Sequence, residues 1–290
     1  MNYSIITPAK NEEKYIEETI CSVLKQKILP KEWIIVDDNS TDKTSFIINK
    51  YAKNNNFIKL IKNKNLNKYR LPGANVVNAF IYGYKNLVDN KVDLICKLDA
   101  DLKFESDYFC RIISAFENDN NLGIASANII EVKTMKSEKK HHPELSLGAN
   151  KVYRIDCFEK ISPFEPVKGW DFIDNMKAQY YGYSTKILPF SAIHLKPIDS
   201  VAGFRKENYL KGYYDAYFRY SLIFFLLKAI KKTVFEKPYF LNGFYYTYGF
   251  MHNTLYKNDF YHNKNIIAFV RKFHKRRLHN LFQFNGKTLF

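Results

Sequence analysis

An α/β fold built around a mostly parallel sheet is predicted by three features of the chain. Short, nearly continuous apolar runs such as Trp33 to Val36 and Leu94 to Leu98 alternate with segments of helical spacing. Their length and unbroken apolarity are those of strands buried on both faces. The same runs end abruptly in acids, Asp37-Asp38 in one and Asp99 and Asp101 in the other. Ligands of open α/β sheets collect outside the carboxyl ends of their strands, so these carboxylates are expected to emerge at a crevice.

Taken in order, Tyr3 to Thr7 reads as the first strand, and Pro8 to Glu13 as a turn into a helix with Asn11 as its candidate N-cap. That helix runs to about Lys27, with Ile16, Ile20, Val23 and Leu24 on one face. Trp33 to Val36 is the second strand, Thr41 to Lys53 a helix, and Phe57 to Ile61 the third strand. A polar, basic loop from Asn63 to Leu71 leads to Pro72 at the start of a helix ending near Val88. Leu94 to Leu98 is the fourth strand. A helix over Asp107–Glu117 and a strand over Leu122–Val132 follow, then a charged, turn-rich loop over Lys133–Pro143. Order resumes over Gly148–Lys160. Gly169-Trp170-Asp171 opens a helix to Tyr181 stopped by Gly182, and Tyr183 to Leu188 is a further strand. Strands alternating with helices make a right-handed, mainly parallel sheet the economical topology.

The 46% apolar content is that of an ordinary globular protein, and 290 residues suffice for one large α/β domain with an appendage. Lys and Arg number 45 against 29 Asp and Glu, a formal charge of +16 that suits an anionic partner. No G-x-G-x-x-G follows a strand and no P-loop occurs, which argues against a dinucleotide dehydrogenase and a P-loop NTPase. Cys21, Cys96, Cys110 and Cys157 are scattered without metal spacing, as a reducing compartment permits. A strand-like run directly after Met1 leaves no room for a signal peptide, and Tyr220 to Ile230 is about half a membrane span. The expectation is a cytoplasmic protein, on the inner face of the membrane if it meets one, with peripheral contact only.

Three motifs now stand in order at strand ends: Thr7-Pro8-Ala9-Lys10-Asn11-Glu12, Ile35-Val36-Asp37-Asp38-Asn39-Ser40-Thr41-Asp42 and Leu98-Asp99-Ala100-Asp101. Together they resemble family 2 glycosyltransferases with the GT-A fold, over roughly residues 1–200. The resemblance implies inverting transfer of a sugar from a nucleotide-sugar donor, UDP-sugar favoured, assisted by Mg²⁺ or Mn²⁺. It implies that Asp38 hydrogen-bonds the nucleotide base, with Pro8 and Glu12 near the same pocket and Arg70 close to the nucleotide. Asp99 and Asp101 match the D-x-D signature, the first on the ribose side and the second on the metal that bridges the diphosphate. A sparse motif suffices for such a metal because phosphates and water complete its shell. Read without the family, the Asp-Asp-Asn-Ser run is more often a strand-to-helix cap, with Asp42 or Thr41 as a rival cap, and Arg70 reads as a solvated loop residue.

The displacement at the anomeric carbon requires a carboxylate to accept the acceptor hydroxyl's proton. The resemblance places it at Asp171, eleven residues before Gly182, with Lys177 where a basic residue is common and Asp174 as second candidate. Trp170 stands where the family usually has Glu; Gly169-Trp170-Asp171 resembles a variant of bacterial polysaccharide transferases. The competing reading is a capping box, with Asp171 as N-cap and Asp174 at the third helical position. His194 falls where related enzymes supply a third metal ligand or a diphosphate contact. Lys196 and Arg205 are candidates to meet the leaving diphosphate. Gly148 to Arg154 resembles the acceptor-side wall.

Beyond a GT-A domain over residues 1–203, residues 204–290 form an aromatic and basic C-terminal extension. The whole chain holds 22 Tyr and 24 Phe, and much of that content lies here, beside Arg271-Lys272-Phe273-His274-Lys275-Arg276-Arg277. One helix is expected over Tyr217–Lys232. Such a composition fits an interfacial surface near a lipid-linked acceptor. It equally fits packing on the domain or in a homo-oligomer. No nucleic-acid module is recognised. The expected function is therefore transfer to a hydroxyl of a glycan or lipid-linked acceptor in cell-surface polysaccharide synthesis. A sugar-nucleotidyltransferase would want a glycine-rich loop after the first strand. A non-catalytic basic membrane- or nucleic-acid-binding protein on a degenerate scaffold would not need the D-x-D carboxylates.

Overall fold

A computed structural model describes residues 1–63, 74–88, 91–132, 142–196 and 203–283. Arg70, Pro72 and most of the 133–143 loop lie outside the described residues. Tertiary contacts divide the chain into two units, Met1–Ile198 and Asp199–Phe290.

In the first unit, strands β1 (Tyr3–Ala9), β2 (Glu32–Asp37), β3 (Ile58–Lys62) and β4 (Leu94–Leu98) pair in parallel in the order β3-β2-β1-β4. Helices α1 (Ile16–Leu24), α2 (Thr44–Ala52) and α3 (Ala74–Lys85) separate them in sequence. The sheet then turns antiparallel: β7 (Asn150–Arg154) pairs with β4 on one side and β6 (Leu122–Glu131) on the other. Strand β8 (Ser184–His194) runs parallel to β6 and antiparallel to the two-residue β5 (Leu102–Lys103), closing the order β7-β6-β8-β5. Helix α4 (Tyr108–Glu117) precedes β6, α5 (Ile155–Ile161) follows β7, and α6 (Trp170–Tyr180) precedes β8.

Period-two alternation splits the core across the sheet. Ile5, Ile35, Leu94, Cys96 and Leu98 face α1 and α4, packing with Ile16, Ile20, Phe109 and Phe116. Ile6, Ile34, Val36 and Ile95 face the other way, onto Phe80 of α3, Phe158 of α5 and Trp170 of α6. Because both faces are covered, β2 is buried at every residue. All four cysteines are free.

The expected Asn11 N-cap is not one. Helix α1 starts at Ile16, and Asn11 sits at φ 55°, in the left-handed region that asparagine tolerates. Its side-chain oxygen accepts the Thr41 amide at 2.8 Å, and its own amide donates to Ser40 Oγ, stitching the loop after β1 to the loop after β2.

The second unit is helical: α7 (Phe204–Tyr217), α8 (Leu222–Val234), α9 (Leu241–His252) with a π-helical turn over Asn253–Lys257, and α10 (Lys264–Gln283). The helix expected over Tyr217–Lys232 starts later, at Leu222, because α7 ends at Tyr217 and the chain turns between them. Arg219 turns left-handed at φ 51°, and Ser221 caps α8 by accepting the Phe224 amide. Helices α7 and α9 meet on glycine: a Cβ at Gly212 would lie 1.9 Å from Tyr246 O, and one at Gly249 2.0 Å from Tyr209 O. The Asp215 carboxylate accepts Lys228 Nζ at 2.6 Å and the Tyr246 hydroxyl at 2.7 Å inside this packing.

Candidate active site

Three cavities adjoin along the carboxyl ends of the parallel strands. The first, about 490 Å³, is lined by Lys10, Asp38, Asn63, Tyr82 and Phe164 among others. The second, about 270 Å³, shares Lys10, Asp38 and Asn75 with it and adds Pro8, Glu12, Asp99 and Asp101. The third, about 370 Å³, shares Val76 and Asp99 with the second and reaches Gly148, Trp170 and Asp171. One groove thus joins eight side chains: Pro8, Glu12, Asp38, Asp99, Asp101 and Asp171 line it, and His194 and Lys196 are held against its rim by the bonds given below. Arg70 lies outside the described residues, and Arg205 belongs to the second unit, over the rings of Phe204 and Tyr245.

At the end of β2 the two aspartates divide the work between turn and site. Asp37 is buried and holds the turn, accepting the Ser40 amide at 2.9 Å and the Ser45 hydroxyl. Asp42 accepts the Thr44 amide and hydroxyl at the start of α2. With turn and cap supplied by these neighbours, Asp38 faces the cavities, steadied by Asn63 Nδ2 at 3.0 Å and with Lys10 Nζ at 4.0 Å.

In the middle of the groove Asp101 Oδ2 lies 3.1 Å from His194 Nε2, brought together by the β5–β8 pairing of Leu102 with His194. Glu12 Oε1 accepts Lys196 Nζ at 2.8 Å, while Oε2 is buried and has no hydrogen-bond partner among the described residues. Burial raises the Glu12 carboxyl above its ordinary range against the pull of Lys196, and Asp101 and Asp99 add to the rise. An orphaned carboxylate oxygen beside two further carboxylates is a place where a divalent cation relieves repulsion. Among the described residues no group of three His, Cys, Asp or Glu side chains could hold a metal alone. Asp101 and His194 fit a divalent ion whose remaining ligands are phosphate and water.

The third cavity rests on two buried lysines. Lys97 of β4 and Lys151 of β7 are direct cross-strand partners, 2% and 0% exposed. Like charges facing each other across a sheet destabilise it unless compensated. Lys97 Nζ is bonded to Asp99 Oδ1 and, at 2.9 Å, to Gly148 O. Lys151 Nζ donates to the Asp171 carbonyl at 2.5 Å and lies 3.9 Å from Asp174 Oδ2. Both ammonium groups stand over the Trp170 ring, 5.4 and 5.3 Å from its centroid, so its negative face offsets part of their charge. Burial lowers the Lys151 pKa, and Asp174 and Asp171 pull it back.

Asp171 and Asp174 are separated by one helical turn and by environment. Helix α6 begins at Trp170 with Gly169 as N-cap at φ 88°, so Asp171 already lies inside the first turn and the competing Asp-x-x-Asp capping box does not form. Asp171 is half-buried and lines the cavity with Asp99. Asp174 is 0% exposed, accepts the Tyr153 hydroxyl at 2.8 Å, and opens on no cavity of the groove. Burial pushes its carboxyl up to about 6 against the charge of Lys151 and the bond from Tyr153. Lys177 turns away to Pro163 O at 2.6 Å. Motif reading misses the lysine pair. Its signals are a lone Lys97 in an apolar strand and Lys151 in the tract that resembles the acceptor-side wall.

The family model described as Glycosyl transferase family 2 matches residues 4–178. The chain belongs to this family. Poly-beta-1,6-N-acetyl-D-glucosamine synthase of Staphylococcus aureus (strain COL) is 34% identical to this family 2 chain over 118 residues, which is 41% of this chain and 26% of that protein. The probable glycosyltransferase YdaM of Bacillus subtilis (strain 168) is 31% identical over 123 residues, covering 41% of this chain and 27% of its own. The chain therefore matches about a quarter of the length of these curated relatives. Among solved structures, the mannosyltransferase PcManGT of Pyrobaculum calidifontis, in complex with GDP-Man and Mn²⁺, is 15% identical with a TM-score of 0.56 over 99% of this chain and 76% of that one. S. aureus TarS 1-349 in complex with UDP-GlcNAc is 18% identical with a TM-score of 0.57, covering 89% of this chain and 74% of that one. The fold of the family 2 chain is thus of the GT-A type.

Proposed function

We propose that the chain is an inverting, metal-assisted transferase. It moves a sugar from a nucleoside-diphosphate donor, UDP-sugar favoured, to a hydroxyl of a glycan or lipid-linked acceptor in cell-surface polysaccharide synthesis. The observation that carries this reading is the single groove in which Asp38, the Asp99–Asp101 pair and Asp171 succeed one another. The relatives support it: one is named as a polysaccharide synthase, and two of the similar structures hold sugar nucleotides.

On this reading Asp38 takes the nucleobase, with Asn63 fixing its orientation. Asp99, clamped by Lys97, meets the ribose side. Asp101 and His194 would hold Mg²⁺ or Mn²⁺, which when bound neutralises charge on the leaving diphosphate. Lys196 adds a cation at the same place. The acceptor enters the third cavity, where Asp171 takes the proton of the attacking hydroxyl. A bond forms from acceptor oxygen to the anomeric carbon as the bond to the diphosphate oxygen breaks, and the diphosphate leaves with the electron pair. Asp174, sealed from the cavity, supports the wall and does not touch substrate.

Calorimetry with UDP and GDP, with and without Mn²⁺, tests the donor half. Metal-dependent binding of one of them is expected, and no binding of either overturns the proposal. A panel of sugar nucleotides assayed for metal-dependent turnover then identifies the donor.

A further inference from the structure

The C-terminal unit leaves two apolar faces uncovered. On α8, Leu222, Ile223, Leu226, Leu227, Ile230 and Val234 are all between 42% and 65% exposed, and their spacing puts them on one side of the helix. On α9, which packs against α8 through Phe225 and Phe250 at 3.9 Å, the exposed row is Leu241, Phe244, Tyr248 and Met251. The opposite faces hold the small core of Phe225, Tyr246 and Phe250, so these rows are what remains after the helices have packed. A monomeric soluble protein seldom leaves so much aliphatic and aromatic surface in one place.

Charge decides what covers it. From residue 203 to the end the chain carries sixteen Lys and Arg against four Asp and Glu, so most of the molecule's +16 lies here. Helix α10 sets its basic run beside α8: His274 stacks on Phe224 at 4.0 Å, Arg277 lies over the same ring, and Arg271 Nε donates to Arg219 O. Lys272, Lys275 and Arg276 are exposed. Just before α8, a cavity of about 630 Å³ is lined by Arg219, His262, Lys264 and Arg271, a recess of the right charge for a phosphate headgroup. A second copy of the chain would bring the same positive charge against this surface, and an aliphatic row offers nothing to a nucleic acid backbone. Among the described residues no helix is long and apolar enough to cross a membrane.

We propose that the C-terminal unit is a membrane-surface module. The apolar rows of α8 and α9 enter the headgroup–acyl boundary of an anionic bilayer in plane, and the basic residues of α10 and the recess take lipid phosphates. Exposed Phe240, Phe244 and Tyr248 supply the amphipathic rings that favour this depth.

The test is flotation of the full chain with phosphatidylcholine vesicles and with vesicles also containing phosphatidylglycerol, at low and high salt. The expected result is binding to the anionic vesicles, weakened by salt, with little binding to pure phosphatidylcholine. The triple variant Leu222→Ser, Leu226→Ser, Ile230→Ser should bind anionic vesicles at least about tenfold more weakly while melting as the wild type does. The variant Lys272→Gln, Lys275→Gln, Arg276→Gln should lose most of the preference for phosphatidylglycerol. Wild-type protein that stays unbound, or a serine variant that binds as well as wild type, overturns the proposal. So does light scattering showing a wild-type dimer that the serine substitutions convert to monomer, because a second copy then covers the face.

Discussion

The two walls of the groove hold their carboxylates by opposite means. On the parallel side, Asp38, Asp99 and Asp101 sit at strand ends, where the backbone itself delivers them to the crevice; Asn63 and His194 trim the aim of Asp38 and Asp101, and Asp99 is bonded to the buried Lys97. On the antiparallel side, Asp171 rides on a helix whose seat is made of buried charge: Lys97 and Lys151 face each other beneath Trp170, with Asp174 sealed in the layer below. A strand-end site tolerates loss of one member with local damage. A helix seated on paired buried ions is a unit, and removing one partner leaves the other uncompensated.

That contrast can be broken or sharpened by substitution. The largest expected effect is from Asp171→Asn, which should lower kcat by about a thousandfold with donor affinity unchanged, the range of a lost general base. Steady-state kinetics with calorimetry checks it, and an equal loss in Asp174→Asn would show that the wall, not a base, is being measured. Next is Lys151→Met, expected to cost about 3 kcal/mol in stability because Asp174 is left buried beside a missing cation. Adding Asp174→Asn should recover a large part of that loss in chemical denaturation. On the parallel side, Asp101→Asn should weaken metal-dependent binding of the nucleoside diphosphate by about a hundredfold and leave the melting temperature near wild type. That pair of outcomes, stability lost on one wall and only binding lost on the other, is the comparison in measurable form.

The smallest effect is a pH dependence. Asp174 has its carboxyl pushed from 3.8 up to about 6, so the folded chain holds this proton more tightly than the unfolded chain. Its contribution to stability is fully present below about pH 4 and is lost as pH rises through about 6. Melting temperatures of wild type minus Asp174→Asn, followed from pH 4 to pH 7, should fall across that window. A flat difference would mean that Lys151 and Tyr153 together hold Asp174 ionised throughout.

Much of the parallel wall is legible in the amino-acid sequence, because each motif is contiguous: a strand and the acids that end it are neighbours along the chain. The alternation of Ile5 with Ile6 and of Ile34 with Ile35 matches a sheet covered on both faces. The antiparallel wall is less legible because its logic is a register. Nothing local says that Lys97 stands opposite Lys151, and without that pairing neither the burial of Asp174 nor the part played by Trp170 can be read. Helix starts are misread where a distant loop claims the capping residue: Asn11 binds Thr41 instead of capping α1. The break between α7 and α8 is hidden because Arg219 enters the left-handed region, which its residue type does not advertise.

One detail of the antiparallel wall reaches further. Gly148 faces α6 without a side chain, and a Cβ there would lie 3.1 Å from Trp170 Cζ2 and 3.2 Å from Asp171 Cβ. The clearance between the turn before β7 and α6 is therefore narrow, and a methyl group at position 148 would need the indole or Asp171 to shift by a few tenths of an ångström. If the third cavity receives the acceptor as proposed, its width behaves as a calibrated gauge. A larger residue at this position would then narrow the acceptor's cavity while leaving the carboxylates of the groove where they are.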